Sequence, residues 1–203
     1  QFTFNRASLG TIVNEQGLIE TDIQNNIPRI DYSTGTEAFL LEPQSTNLIT
    51  QSELFSGSSW TKVNSSVVLS NAISPDGGTN AFDLNITSNG YLLYQISNYN
   101  SILGQSITAS IFAKNEIIDF LSFGGATAAG TDVYSIKDYG NGWFRHIVTR
   151  TFTTTAIDYV QFIIFDQVGN NVIWGAQLED QSYATSYIPT SGTSVTRVGE
   201  TCV

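Results

Sequence analysis

Residues 107–114, Ile-Thr-Ala-Ser-Ile-Phe-Ala-Lys, alternate in character with a period of two. On an extended chain, Ile107, Ala109, Ile111 and Ala113 share one face, and Thr108, Ser110, Phe112 and Lys114 share the other. Residues 159–166 form an almost unbroken apolar run ending at Asp166, the pattern of a strand in the middle of a sandwich. Residues 172–179 alternate again, placing Val172, Trp174, Ala176 and Leu178 together. Further strands are predicted at 66–70, 80–87, 91–97, 120–124 and 143–152. Pro75-Asp76-Gly77-Gly78 and Tyr139-Gly140-Asn141-Gly142 are tight-turn sequences, and 100–104 and 124–130 read as loops. No window sustains a 3.6-residue apolar period with caps at both ends. Many short strands at a spacing of roughly ten residues fold as a sandwich or barrel.

The chain has 203 residues, enough to bury a core without disulfides or a metal. Charged residues are only 13% and aromatics 12%, which argues against disorder and against a coiled coil. The net charge is −10 with only 8 Lys and Arg, scattered rather than clustered. A nucleic-acid partner requires a basic footprint, so that class is excluded, and anionic membranes are disfavoured for the same reason. No apolar run is long enough to insert into a membrane. The single cysteine, Cys202, forms no internal disulfide. The start, Gln1-Phe2-Thr3-Phe4, lacks the basic and apolar regions of a signal peptide and reads as a processed or excised beginning.

Residues 1–50 differ from the rest. Phe4-Asn5-Arg6-Ala7-Ser8 and Ile27-Pro28-Arg29-Ile30-Asp31-Tyr32 are short, irregular segments around two arginines. They are expected to cover the sandwich formed by 51–203, giving one domain overall. The stretch 186–193 is also extended, and Pro189 excludes it from a central strand. Arg6, Arg29, Arg197 and Glu42 are read as structural, pinning extended segments through guanidinium contacts.

Two resemblances accompany these patterns. Trp60, Pro75-Asp76-Gly77-Gly78, Ala81-Phe82-Asp83-Leu84, Tyr94-Gln95-Ile96 and the segment Ser106 to Lys114 resemble, in that order, carbohydrate-binding modules of the galactose-binding-like jelly-roll group. A second resemblance covers nearly the whole chain. It is carried by residues 40–49 (Leu-Leu-Glu-Pro-Gln-Ser-Thr-Asn-Leu-Ile), Ser52-Glu53, Gly142-Trp143-Phe144-Arg145, residues 174–179 (Trp-Gly-Ala-Gln-Leu-Glu), residues 185–190 (Thr-Ser-Tyr-Ile-Pro-Thr) and Val195-Thr196-Arg197. These are similar to a family of modules in phage head-spike and tail-fibre proteins and in bacterial surface proteins. The resemblance implies an all-β, antiparallel jelly-roll sandwich with extended ends, used for adhesion and without chemistry of its own. It further implies an extracellular or virion-surface setting, and a homo-trimer if the chain belongs to a phage fibre.

A glycan platform needs aromatic rings for the C–H face of a pyranose and planar polar groups for its hydroxyls. Phe112 and Lys114, opposite the Ile107/Ile111 face, are candidates. So are Tyr91 and Gln95, opposite Leu92/Tyr94/Ile96, and the loop groups Asn98 and Tyr99. His146 and Arg150, four residues apart on one strand, face the same way and supply charge for an anionic sugar. They are also the best catalytic constellation the sequence offers, and are read as an ordinary strand histidine near a cationic pair. Trp143 and Trp174 are assigned to the core, and Trp60 is left open. Acidic residues, among them Asp119 and Asp158, are not paired in sequence as a glycosidase would require. No cofactor is expected. A structural calcium at the Asp76 or Asp138 turn is the one metal considered. The expected function is a non-catalytic, lectin-like module that holds its parent protein on a polysaccharide or cell-surface glycan. A bacteriophage spike or fibre domain is the alternative, and a small lyase or hydrolase the third.

Overall fold

In a computed structural model the protein is an all-β, antiparallel sandwich with extended terminal segments. The structure describes residues 3–114, 116, 121–125, 129–164 and 168–202. Six short strands precede the sandwich: β1 (Phe4–Asn5), β2 (Gly10–Val13), β3 (Ile19–Ile23), β4 (Arg29–Asp31), β5 (Ala38–Leu40) and β6 (Ser45–Asn47). The long strands follow: β7 (Trp60–Leu69), β8 (Phe82–Ser101), β9 (Ser106–Ala113), β10 (Leu121–Gly124), β11 (Gly130–Asp138), β12 (Phe144–Phe152), β13 (Ala156–Ile164) and β14 (Gly169–Glu179). Two short strands, β15 (Val195–Arg197) and β16 (Thr201–Cys202), complete the order.

One curled sheet runs β10-β13-β8-β14-β9-β12-β11, with β7 also on β8. The hairpin β7–β8 makes it a sandwich. Its outer ends, Ser65 to Leu69 and Phe82 to Ile86, lie in one leaf, where β8 pairs β14. Its other ends, Trp60 to Val63 and Tyr91 to Ser101, lie in the second leaf, where β8 pairs β13. The chain crosses between the leaves where residues 87–90 face only Asn64. There Asn64 and Asn89 take positive φ, and an added Cβ on Gly90 would stand 2.3 Å from the Asn64 carbonyl oxygen. The predicted strands 80–87 and 91–97 are therefore one strand. The break in pattern at Ser88-Asn89-Gly90 is a bend within it rather than a loop.

Inward residues of both leaves share one core. Ile107, Ala109, Ile111 and Ala113 of β9 meet Leu84 and Leu92 of β8, Val160 and Phe162 of β13, and Phe123 of β10. Trp60 joins them beside Phe55 and Tyr94, which settles the open assignment. Burying such side chains contributes about 1.5–3 kcal/mol each.

A second core lies on the outer side of the first leaf. Phe112, Trp174 and Trp143 pack there under Val13 and Ile19 of the β2–β3 hairpin and under Tyr187. Strand β9 is thus buried on both faces, and the alternation of 107–114 separates two cores rather than core from solvent. In 172–179 the expected single face is divided. A bulge at Gly175, φ 59°, puts Val172 and Trp174 in the outer core and Ala176 and Leu178 in the inner one. One extra residue reverses the side on which every later side chain falls.

Strand β11 was not foreseen. It is an edge strand, exposed at many positions, so burial imposes little periodicity on it. The predicted strand 66–70 begins earlier, at Trp60. Asn98 and Tyr99, read as loop groups, and Asn100 and Ser101 all belong to β8 rather than to a loop. Gln1, Phe2, Asp119, Phe120, residues 126–128 and residues 165–166, and the side chain of Asp158, lie outside what the structure describes.

The terminal segments are pinned by buried ions and amides. Glu200 accepts from Arg29 Nε at 2.5 Å and Nη2 at 2.6 Å, and from Arg6 Nη1 at 2.9 Å. Arg29 also donates to Glu42 at 2.8 Å and to the Thr11 carbonyl at 2.9 Å. Asn47 donates to the Ala176 and Ile188 carbonyls and accepts from Leu178 N at 3.1 Å. Glu179 accepts from Ser45 and from the Thr185 hydroxyl and amide. Strand β1 pairs β16, and β6 pairs β15, so segments from the two ends of the described chain join each other.

Candidate functional site

The eight residues expected to meet a glycan separate into four places. Tyr91 and Gln95 do face outward, on the second leaf. Gln95 Oε1 accepts from Gln161 Nε2 at 2.9 Å across the β8–β13 pair, forming an amide ladder. Asn98, in the left-handed region at φ 57°, is exposed beside the register shift of the same pair. Tyr99 packs on Phe152 and donates its hydroxyl to Asp180 at 2.5 Å. Burial, and then that carboxylate, push the Tyr99 hydroxyl far above its ordinary value.

Three placements differ from expectation. Phe112 is 0% exposed, because the β2–β3 hairpin and Tyr187 cover the face that sequence alternation opened to solvent. His146, 1% exposed, and Arg150 do share a face, but it is the inward one, in line with Val148 and Phe152. Arg150 is held there by two hydrogen bonds to Asp132, each 2.6 Å, and its guanidinium lies over the Phe123 ring. Neither offers its ring or cation to a sugar at the surface.

Lys114 stands at the larger of two adjoining hollows. It follows β9, its backbone fixed by a bond from its N–H to the Val172 carbonyl at 3.0 Å. Beside it, the turn from Tyr139 to Trp143 carries positive φ at Gly140, Asn141 and Gly142. Asp138 caps this turn by accepting from Gly140 N at 2.7 Å, and Tyr139 N donates to the Trp143 carbonyl at 2.9 Å. The Trp143 indole donates to the Ile73 carbonyl at 3.0 Å, tying the turn to the Pro75-Asp76-Gly77-Gly78 turn. Ile19 N in turn donates to the Pro75 carbonyl at 2.9 Å, bringing in the loop that carries Gly17 and Leu18.

These three connections enclose about 310 Å³ lined by Gly17, Leu18, Ile73, Ser74, Pro75, Lys114, Tyr139, Gly140, Asn141 and Trp143. The wall is largely apolar with a few polar groups, the usual make-up of a small-ligand site. Lys114 Nζ sits 5.4 Å from the centroid of the Trp143 ring and donates to the Asn141 carbonyl at 3.4 Å. A smaller hollow of about 160 Å³ adjoins it and shares Tyr139. There Lys137 lies 5.2 Å from the Tyr139 ring centroid and donates to Ser33 Oγ at 3.0 Å.

The charges divide unevenly. Arg6, Arg29, Arg145 and Arg197 are buried, Arg150 is paired, and Lys62 donates to the Ser56 and Gly57 carbonyls. Burial lowers the pKa of Lys62. Lys114 and Lys137 form no ion pair with any described residue. Asp31, in the smaller hollow, already accepts from the backbone of Val13 and Ser33.

The two turns considered for calcium use their carboxylates internally. Asp76 accepts from Ser74 Oγ and Gly78 N, and Asp138 from Gly140 N. Among the described residues, no three His, Cys, Asp or Glu side chains gather in one place.

Tyr139, Asn141, Lys137 and Trp143 were not read from the sequence as site residues. Tyr139-Gly140-Asn141-Gly142 was legible as a turn, and Trp143 is indeed almost buried at 2% exposure. Their position beside Lys114 depends on the pairing of β12 with β9, which local pattern does not contain. No protein-family model matches the chain, and no curated protein matches it.

Proposed function

We propose that the protein is a non-catalytic glycan-binding module, displayed outside the cell or on a virion, whose sugar seats in the hollow beside Lys114. The observation that carries this reading is the hollow itself. It combines the edge of Tyr139, the apolar surfaces of Leu18 and Pro75, the Asn141 amide and a lysine, held on turns with backbone pairing on every side. A pyranose needs that mixture: apolar area for its C–H face and oriented polar groups for its hydroxyls. The turns are fixed by backbone bonds before any ligand arrives, so little order is lost on binding. The resemblance to carbohydrate-binding jelly rolls and to phage spike modules agrees with this reading. The outward amide ladder of Gln95 and Gln161 is a second surface that a long polysaccharide could touch.

Affinity electrophoresis through gels containing a panel of polysaccharides tests the proposal. At least one polymer should retard the protein, and Tyr139→Ala should abolish most of that retardation while leaving the circular dichroism spectrum unchanged. Unaltered mobility in every gel would refute glycan binding. Equal retardation of the Tyr139→Ala variant would move the site elsewhere.

A further inference from the structure

We infer that the sugar recognised in this hollow is acidic, carrying a carboxylate or a sulfate ester that meets the Lys114 ammonium; this rests on the glycan-binding reading above. The protein carries a net charge of −10, yet among the described residues Lys114 is the only charged side chain in the wall of the 310 Å³ hollow, and no described carboxylate lines it. For a chain with 18 acidic residues and 3 lysines, a hollow whose described wall carries a lysine and no acid is the reverse of its average surface.

The ammonium is also placed rather than floating. The Trp143 ring lies under it and the Asn141 carbonyl takes one of its protons. Both contacts favour the cation, and they hold it at the hollow's edge. A lysine ammonium has three protons, so two remain for a ligand anion. A neutral sugar would use one of them on a hydroxyl, as water does. A carboxylate or sulfate would gain a charge-assisted hydrogen bond, roughly twice as strong.

Titration calorimetry on the full chain tests this with matched probes. One pair is an oligogalacturonate and its carboxyl-reduced counterpart, and the other a sulfated galactan oligomer and its desulfated form. At least one acidic member should bind at least about tenfold tighter than its neutral partner, the gain of one charge-assisted hydrogen bond. The pair that shows the preference identifies the anion. Lys114→Gln should erase the preference while retaining affinity for the neutral form. Lys62→Gln, which changes net charge equally but lies outside the hollow, should leave the preference intact. If the neutral members bind as well as the acidic ones, and Tyr139→Ala weakens them, the glycan site stands and its acidic specificity is overturned. If the preference survives Lys114→Gln, the anion is bound elsewhere and the inference fails. If no probe binds and no polysaccharide gel retards the protein, both readings fall together.

Discussion

Arg29 is fully buried, and its guanidinium reaches Glu200, Glu42, the Ser186 hydroxyl and the Thr11 carbonyl. Removing one member of such a set leaves buried carboxylates without their counter-charge, which costs about 3–5 kcal/mol. Arg29→Ala is expected to lower stability by that order, read from the urea midpoint. A value within about 0.5 kcal/mol of wild type, the range of ordinary surface substitutions, would mean that water replaces the guanidinium without loss. Gly90 makes a different demand. A methyl group there would meet the Asn64 carbonyl oxygen at 2.3 Å and the Ile86 side chain at 2.9 Å, at the crossing between leaves. Gly90→Ala should therefore destabilise by about 1–3 kcal/mol, the usual cost of overpacking, because the nearest obstacle is backbone. At this scale the sequence was informative about type. Arg6, Arg29 and Glu42 were legible as pins because extended segments lack ladder bonds to hold them; Arg197, read the same way, meets Glu42 only as an ion pair at 3.4 Å. Glu200, which joins Arg6 to Arg29, was not, because nothing near it in sequence marks its partners.

The covering elements, β1 to β6 with β15 and β16, depend on ionised carboxylates. Burial alone would raise Glu42, but the Arg197 charge, the Ser186 hydroxyl and Arg29 outweigh it and hold its pKa below the usual carboxylate value of 4.5. Glu200 follows the same logic: burial raises it, and bonds from Arg29, the Glu42 amide and Arg6 prevail. A depressed folded-state pKa contributes stability that is present above the unfolded value and lost as pH falls through the folded one. Glu53 runs the other way. Burial pushes it up, so its contribution is present below 4.5 and fades as pH rises through its folded value. With two depressed groups on the cover, the urea midpoint should decline as pH falls below about 4.5, and Arg29→Ala should flatten that decline. An unchanged slope in the variant would separate the acid response from these contacts. Element order was largely readable, since 107–114 and 143–152 match β9 and β12 closely. What escaped was pairing. An edge strand such as β11 carries no clear burial period, and the Gly175 bulge reverses a face without any change of residue type. Phe112 was assigned to solvent because alternation tells two faces apart but not what lies on each.

For the whole molecule, the decisive event is the closing of the β2–β3 hairpin and Tyr187 over one leaf. It buries Phe112 and Trp174 and converts a face that resembles an open platform into a second core. It also places the Leu18 loop against the Pro75 and Trp143 turns, so the hollow exists only when all three are assembled. Local sequence could supply Lys114 and the turn residues singly, and the fold alone could bring them together. The segments quoted for the phage-module resemblance meet at this closure: Glu42, Asn47, Gln177, Glu179 and Arg197 act between cover and sheet. They account for the architecture.

The three indole N–H groups are separate reporters of where a ligand sits. Trp60 donates to the Gln51 carbonyl in the inner core, Trp174 to Asn80 in the outer one, and Trp143 to Ile73 in the wall of the hollow. Nuclear magnetic resonance titration with an acidic oligosaccharide should shift the Trp143 indole signal progressively and leave that of Trp60 in place. Saturable binding that leaves the Trp143 signal unmoved would contradict the assignment of the hollow as the sugar site.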